Sequence, residues 1–119
     1  MKIIQHNLSN DTAAEIIADE VLIKDEQDAL DLMANLGYKY GTKTIILRRQ
    51  NLCAGFFDLK TKIAGSILQK FINYHTRLII LGDFSDIASE NFKSFIRETN
   101  KSKRIIFLSN ISSALKELN

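Results

Sequence analysis

Three short isoleucine-rich runs limit what this chain of 119 residues can fold into. They are TIIL (44–47), RLIIL (77–81) and RIIFL (104–108). Apolar runs this short, without alternating polar positions, are typical of strands buried on both faces, as in a parallel sheet. Parallel neighbours need a crossover between them, usually a helix. The runs therefore predict an α/β domain.

Helical patterns lie between and around these runs. Leu59, Ile63, Ile67 and Phe71 recur every four residues, which predicts an amphipathic helix over 58–74. Gly65 inside it predicts close packing of that helix on the sheet. The other expected helices cover 25–37, a segment ending near Asn100, and the closing ISSALKEL. The expected N-caps are Asp25, Asp58 and either Ser85 or Ser89.

The N-terminal region predicts two paired strands. KIIQHN and AAEIIAD flank the turn-like LSND, whereas EVLIKD (20–25) fits no single element. The expected order is β-β-α-β-α-β-α-β-α. We therefore expect a single compact domain over 1–119, with a mixed, mostly parallel sheet of about five strands and about four helices.

Composition excludes several classes. A hydrophobic fraction of 45% and a charged fraction of 25% are ordinary for a globular protein. The single Cys53 cannot form an internal disulfide, no leader-like segment opens the sequence, and the apolar runs are too short for a membrane span. We expect a cytoplasmic protein that is not bound to membranes.

The charges are unevenly distributed. Residues 1–31 carry eight acids and two lysines, a net charge of −6, and the remainder carries +8. This asymmetry is typical of solvated surfaces, although it could also steer a partner or favour head-to-tail self-contact. The overall charge of +2 is small, and no aromatic residue is interleaved with the basic group Arg97, Lys101, Lys103 and Arg104. We therefore expect no nucleic-acid partner.

Familiar catalytic and cofactor motifs do not occur in the sequence. The five glycines form neither GxGxxG nor a phosphate loop. His6, His75 and Cys53 have no partner spacing that would support metal ligation or nucleophilic catalysis, so we expect no metal and no cofactor. An enzyme would depend on Asp58, Asp83 and nearby lysines alone, which makes it the least favoured class.

A functional site is expected where the parallel strands end. In open α/β sheets, ligands meet the loops after the carboxyl ends of strands, which here are Arg48 to Asp58, Gly82 to Ser85, and Ser109 with Asn110. One of the adjacent Phe56 and Phe57 is expected to face a partner. The candidate partner or ligand surface comprises Arg49, Asn51, Phe56, Phe57, Asp58, Lys60, Thr61, Lys62, Asp83, Ser85 and Asn110.

Two resemblances bear on this interpretation. The element order, the helix after FFD and the closing ISSALKEL resemble the STAS fold of anti-sigma-factor antagonists. In those proteins a serine in an Asp-Ser-Ser/Thr-Gly motif is phosphorylated. Here Asp58 matches the aspartate, Leu59 and Lys60 follow it, and Thr61 stands where glycine would.

The second resemblance is closer. EIIADEVLIKDEQDALDLMANLGY, FFDLKTKIAGSILQKFINY, RLIILGDFS and ALKEL are similar to a small bacterial family known only as a domain of unknown function (number four-one-eight-zero). It covers nearly the whole chain and implies no activity.

Two functions are open on these grounds. The first is a non-enzymatic regulatory module of STAS-like type that binds another protein through the strand-to-helix joint 51–62. The second is a small-molecule or anion sensor that uses the helix start at 58–62 and the strand-end loops. The chain is expected to be a monomer or a homodimer.

Overall fold

Five strands form one mixed sheet whose spatial order follows the chain order. The structure is a computed structural model and describes residues 1–118. β1 and β2 pair antiparallel, and β2 to β5 run parallel to one another. The strands are β1 (Lys2–Asn7), β2 (Thr12–Ile17), β3 (Thr44–Arg48), β4 (Arg77–Leu81) and β5 (Ile105–Leu108). The single mixed α/β domain and its order confirm the sequence prediction.

Four α-helices within residues 1–118 cover the two faces of the sheet unequally. They are α1 (Glu26–Tyr40), α2 (Ile63–Asn73), α3 (Glu90–Ser102) and α4 (Ile111–Leu118). The first three bury side chains with Ile45, Leu47 and their neighbours on one face. α4 packs Ala114 against Ile46 and the alternate residues on the other face. None of these helices combines the length and apolar composition of a membrane span.

The helix starts at Asp25 and Ser89 follow the sequence prediction. Asp25 accepts a hydrogen bond from the Asp28 amide at 2.9 Å, and Ser89 accepts one from the Phe92 amide at 3.2 Å. Each side chain satisfies an amide that the first helical turn leaves without a partner. The expected end of α1 at Gly37 is wrong, because α1 continues to Tyr40. It ends at Gly41, whose φ of 65° suits glycine.

The predicted helix over 58–74 begins later than expected. A 3-10 turn, Leu59–Thr61, comes first, and α2 begins only at Ile63. The two are separated because Lys62 has a left-handed φ of 65°. Asp58 caps the 3-10 turn by accepting a hydrogen bond from the Lys60 amide at 3.1 Å. Asp58 is therefore not the N-cap of the α-helix.

Gly65 is also placed differently from the expectation. It is exposed, and a Cβ added there would meet no atom within 4 Å outside its own helix. Close packing of α2 on the sheet is carried instead by Ala64, Ile67 and Phe71. Nothing in the structure explains why glycine occupies position 65.

Gly65→Ala should therefore stabilise the protein. Alanine restricts the unfolded chain and has the higher helix propensity, so we expect the free energy of unfolding to rise by about 0.5 kcal/mol. Urea denaturation measures the difference. Gly41→Ala is the matched control and should destabilise by about 1 kcal/mol, because Gly41 has positive φ. A loss of stability for Gly65→Ala would contradict this account.

Candidate functional site

A cleft of about 880 Å³ lies at the carboxyl ends of β3, β4 and β5. Three loops surround it: the segment after β3, the turn after β4, and the joint between β5 and α4. Both polar and apolar side chains face it. The lining residues are Arg48, Arg49, Gln50, Leu52, Ala54, Phe57, Leu81, Gly82, Asp83, Ser109, Asn110 and Ile111.

Asn51 holds the first of these loops in place. Its side-chain oxygen accepts a hydrogen bond from the Arg48 amide at 2.9 Å, and its side-chain nitrogen donates to the carbonyls of Ala18 and Glu20, both at 2.9 Å. Asn51 is fully buried, so it ties the loop after β3 to the loop after β2. The prediction that Asn51 belongs to an exposed binding surface is wrong, because its amide serves these internal bonds.

Arg49 forms one wall of the cleft. Its guanidinium donates to the Asp86 carboxylate and to the Asp83 carbonyl, both at 2.7 Å. The same group lies 5.1 Å from the ring centre of Phe57 and 5.6 Å from that of Phe84. These contacts fix the orientation of Arg49, since a guanidinium is attracted both to carboxylates and to aromatic faces.

Arg48 points to the opposite face of the sheet and pairs with Glu15. Its Nη2 donates to Glu15 Oε2 at 2.7 Å, and its Nη1 donates to the Ile16 carbonyl at 3.3 Å. His6 Nε2 donates to the other oxygen of Glu15 at 2.8 Å. The Glu15 side chain is 5% exposed and the Arg48 side chain 31% exposed. Arg48 thus links a buried ion pair to the cleft.

The carboxyl groups around these arginines are held in the ionised form. Burial raises the pKa of Glu15, but hydrogen bonds from His6 and Arg48 outweigh that effect, so its pKa lies below the ordinary 4.5. Hydrogen bonds from Ser85 lower the pKa of Asp83, and a hydrogen bond from Arg49 lowers that of Asp86. Near neutral pH all three are therefore acceptors rather than proton donors.

The joint between β5 and α4 supplies a second polar wall. Asn110 is the N-cap of α4, since its side-chain oxygen accepts from the Ser113 amide at 2.9 Å. Ser109 and Asn110 are both exposed and line the cleft. Ile111 follows directly and contributes apolar surface. A ligand in the cleft can therefore meet hydroxyl and amide groups on this side.

The two adjacent phenylalanines have different environments. Phe56 is fully buried, with its ring 5.1 Å from Phe57 and 6.3 Å from Phe92. Phe57 is half-buried and lines the cleft. Phe56 is therefore a core residue, and its place in the predicted surface is wrong. The 3-10 turn Ala54–Phe57 brings the two rings into edge-to-face contact, whereas an extended chain would have placed them on opposite sides.

The segment 58–62 lies outside the cleft lining. Asp58, Lys60, Thr61 and Lys62 are all exposed. The Thr61 hydroxyl lies 2.6 Å from the Gly55 carbonyl and 2.8 Å from the Asp58 carbonyl and donates its one proton within this turn, so it closes the turn internally. The expected α-helix start at 58–62 is wrong, because α2 begins at Ile63.

Four predicted surface residues do meet at the cleft: Arg49, Phe57, Asp83 and Asn110. Ser85 lies beside it in a smaller groove, of about 400 Å³, with Phe84 and Ser109. Its amide donates to the Asp83 carboxylate at 2.9 Å, which makes this the turn that the sequence predicted. The next helix, however, begins only at Glu90.

The sequence did not reveal that two further residues line the cleft. They are Leu81, the last residue of β4, and Ile111, the first residue of α4. The sequence also did not reveal the contact of Glu15 with Arg48. A signal for Glu15 exists: it is the one charged residue inside the apolar strand TAAEII, and a buried carboxylate needs a partner.

Metal-ligating residues do not gather in the described part of the chain. Within residues 1–118, no group of three or more His, Cys, Asp or Glu side chains is arranged to hold a metal ion. His75 is exposed in the turn after α2, and Cys53 is half-buried with its sulfur 3.5 Å from the Lys24 carbonyl. Neither residue lines the cleft.

The fold defines a small α/β protein with a cleft at the ends of its parallel strands. Residues 8–118 match the family described as Domain of unknown function (DUF4180), and the chain belongs to that family. Comparison with curated proteins and with solved structures gives no significant match. The STAS-like topology remains a prediction from the sequence.

Glu15→Gln should destabilise the protein in a pH-dependent way. Because folding lowers the pKa of Glu15, its contribution is fully present above pH 4.5 and is lost as the pH falls below that value. We expect the variant to be less stable by about 2–3 kcal/mol at neutral pH, since Arg48 loses its buried partner. The difference should shrink in urea denaturation at about pH 3.

The exposed Glu20 offers the matched control for that experiment. Glu20→Gln should change the free energy of unfolding by less than about 0.5 kcal/mol at either pH. A Glu15→Gln deficit of equal size at both pH values would show that packing, rather than the ion pair, is what the substitution disturbs.

Proposed function

We propose that this protein is a non-enzymatic regulatory module that binds a small organic molecule in the strand-end cleft. The cleft itself is the observation that carries the proposal. Its volume of about 880 Å³ lies within the range of roughly 300–1,000 Å³ that is typical of small-molecule sites. Its position at the carboxyl ends of parallel strands is where α/β sheets commonly bind ligands.

The lining favours a ligand with an apolar body. Leu52, Phe57, Leu81 and Ile111 supply aliphatic and aromatic surface. Burying such a body removes apolar area from water, which is the main source of affinity at sites of this kind.

The polar groups favour a ligand that also carries one acidic group. A guanidinium has five N–H donors, and the bonds of Arg48 to Glu15 and Ile16 use two of them. Arg48 and Arg49 are each paired with a carboxylate, Glu15 and Asp86, so they offer an acidic ligand their remaining N–H donors rather than a net positive charge. Ser109 and Asn110 add neutral polar groups. A carboxylate or phosphate on the ligand would complement this arrangement.

A second candidate is docking of another protein at the joint 51–62. The half-buried Phe57 supports it, because a partner side chain could pack against that ring inside the cleft. Phe57→Ser would then abolish binding of the partner without unfolding the domain. The small-molecule proposal is preferred because the concave cleft extends well beyond Phe57 to all three strand ends.

Filling the cleft should abolish ligand stabilisation. We expect some members of a panel of apolar carboxylates and organic phosphates to raise the melting temperature, by about 5 °C at ten times the dissociation constant. Ala54→Trp places a large side chain in the cleft from an exposed position and should remove this shift. Scanning fluorimetry measures both effects.

Ala88→Trp is the matched control, because Ala88 is exposed and is not among the residues lining the cleft. It should retain the full ligand shift. Equal shifts in both variants would place binding elsewhere. A panel without any shift in the wild type would leave the second candidate, tested by Phe57→Ser.

A further inference from the structure

The edge of the sheet opposite the cleft carries a concentration of positive charge. Three helix-to-strand joints meet there, with the sequences YKYGTKT (38–44), KFINYHTR (70–77) and KSKRI (101–105). These joints contain no aspartate or glutamate. Their seven lysines and arginines are Lys39, Lys43, Lys70, Arg77, Lys101, Lys103 and Arg104. We call this surface the basic edge.

Backbone hydrogen bonds hold the three joints side by side. The Arg77 amide donates to the Lys43 carbonyl at 2.8 Å, and the Leu78 amide donates to the Arg104 carbonyl at 2.9 Å. Neighbouring strands lie about 4.8 Å apart. Lys43, Arg77 and Arg104 thus lie at the starts of three adjacent strands. Thr44, rather than Lys43, is the residue opposite Arg77, and the Arg77 Nε donates to the Thr44 hydroxyl at 3.2 Å.

Few acids offset these charges. Asp11 accepts hydrogen bonds from the Lys43 amide and the Thr44 hydroxyl. Glu117 lies 4.0 Å from the Lys103 ammonium group, and Asp31 lines the same groove as Lys43. Seven positive charges against these three leave about four in excess, whereas the whole chain carries only +2.

Helix dipoles account for only part of this pattern. Lys39, Lys70 and Lys101 lie in the last turns of α1, α2 and α3, where a positive charge is favourable. The same edge also carries two exposed tyrosines, which helix dipoles do not explain. Tyr38 is 93% exposed and Tyr74 is 55% exposed.

The tyrosines and the cations share one groove. Tyr38, Tyr74 and Lys43 line a groove of about 530 Å³ between the ends of α1 and α2. Thr76 also lines it, and its carbonyl accepts a hydrogen bond from Arg104 at 3.3 Å. Lys43 therefore lies in the aromatic groove, and Arg104 is joined to it through the Thr76 carbonyl.

We propose that the basic edge binds single-stranded nucleic acid. The phosphates contact Lys43, Arg77 and Arg104 at the strand starts, and two bases stack on Tyr38 and Tyr74. Sites for single-stranded nucleic acid commonly combine a cationic track with exposed aromatic rings. An acidic protein partner would need only the cations, so it would not account for the exposed tyrosines. This proposal departs from the sequence expectation of no nucleic-acid partner, because the tyrosines come from segments remote from the basic group at 97–104.

Fluorescence anisotropy of a labelled twelve-residue oligo(dT) with the full chain tests the proposal. We expect binding at 50 mM salt that weakens about 20-fold at 200 mM, as three phosphate contacts imply. Combined Tyr38→Ala and Tyr74→Ala should weaken binding at least tenfold. The Tyr38→Phe and Tyr74→Phe pair keeps both rings and should bind within about twofold of the wild type.

Charge controls compare the two edges of the sheet. Lys43→Gln with Lys101→Gln should weaken binding, whereas Lys60→Gln with Lys62→Gln, at the other edge, should not. All four lysines are exposed, so these variants should fold, and thermal unfolding verifies this.

Failure to bind oligo(dT) at 50 mM salt would overturn the proposal. Binding that the tyrosine-to-alanine pair leaves unchanged, or that inorganic polyphosphate matches, would overturn it too. The cleft takes no part in this test, so its result is independent of the proposed function.

Discussion

The burial of the central strands on both faces is the constraint on which the other features depend. Ile45 and Leu47 of β3 lie under α1 to α3, while Ile46 between them lies under α4, and all three are almost completely buried. Parallel strands buried in this way require helices on both sides of the sheet. The loops that connect these strands and helices therefore lie at the two ends of the strands. The loops at the carboxyl ends form the cleft, and those at the amino ends form the basic edge.

The two edges differ in charge for a physical reason. Helices that connect parallel strands begin at the cleft edge and end at the opposite edge, so their dipoles favour acids at the first and bases at the second. Asp25, Glu26 and Glu90 mark helix starts, and Lys39, Lys70 and Lys101 mark helix ends. Against this acidic background, Arg48 and Arg49 are held in the cleft by carboxylates. Their pairing limits the electrostatic attraction that the cleft can offer and increases the importance of its apolar wall.

Much of the fold was predictable because its signals are local. The strand runs, their order and the caps at Asp25 and Ser89 each depend on residues close in sequence. The start of α2 was not predictable in this way, since periodicity does not reveal that Lys62 adopts positive φ.

The location of the candidate site at the strand ends was predictable, but the residues that form it were less so. Asn51 and Phe56 lie in the predicted segment yet are buried, because a 3-10 turn and contacts with Ala18, Glu20 and Phe92 decide their orientation.

The sequence by itself determined the class of fold, the order of the elements and the edge at which a cleft forms. Hydrophobic runs and capping residues express preferences that act over a few positions along the chain. Only the tertiary structure decided which side chains meet: Arg48 pairs with Glu15 across 33 positions, and Tyr38 joins Tyr74 in one groove. Such contacts depend on strand register and helix packing, which follow from the burial of the whole core and not from any single segment.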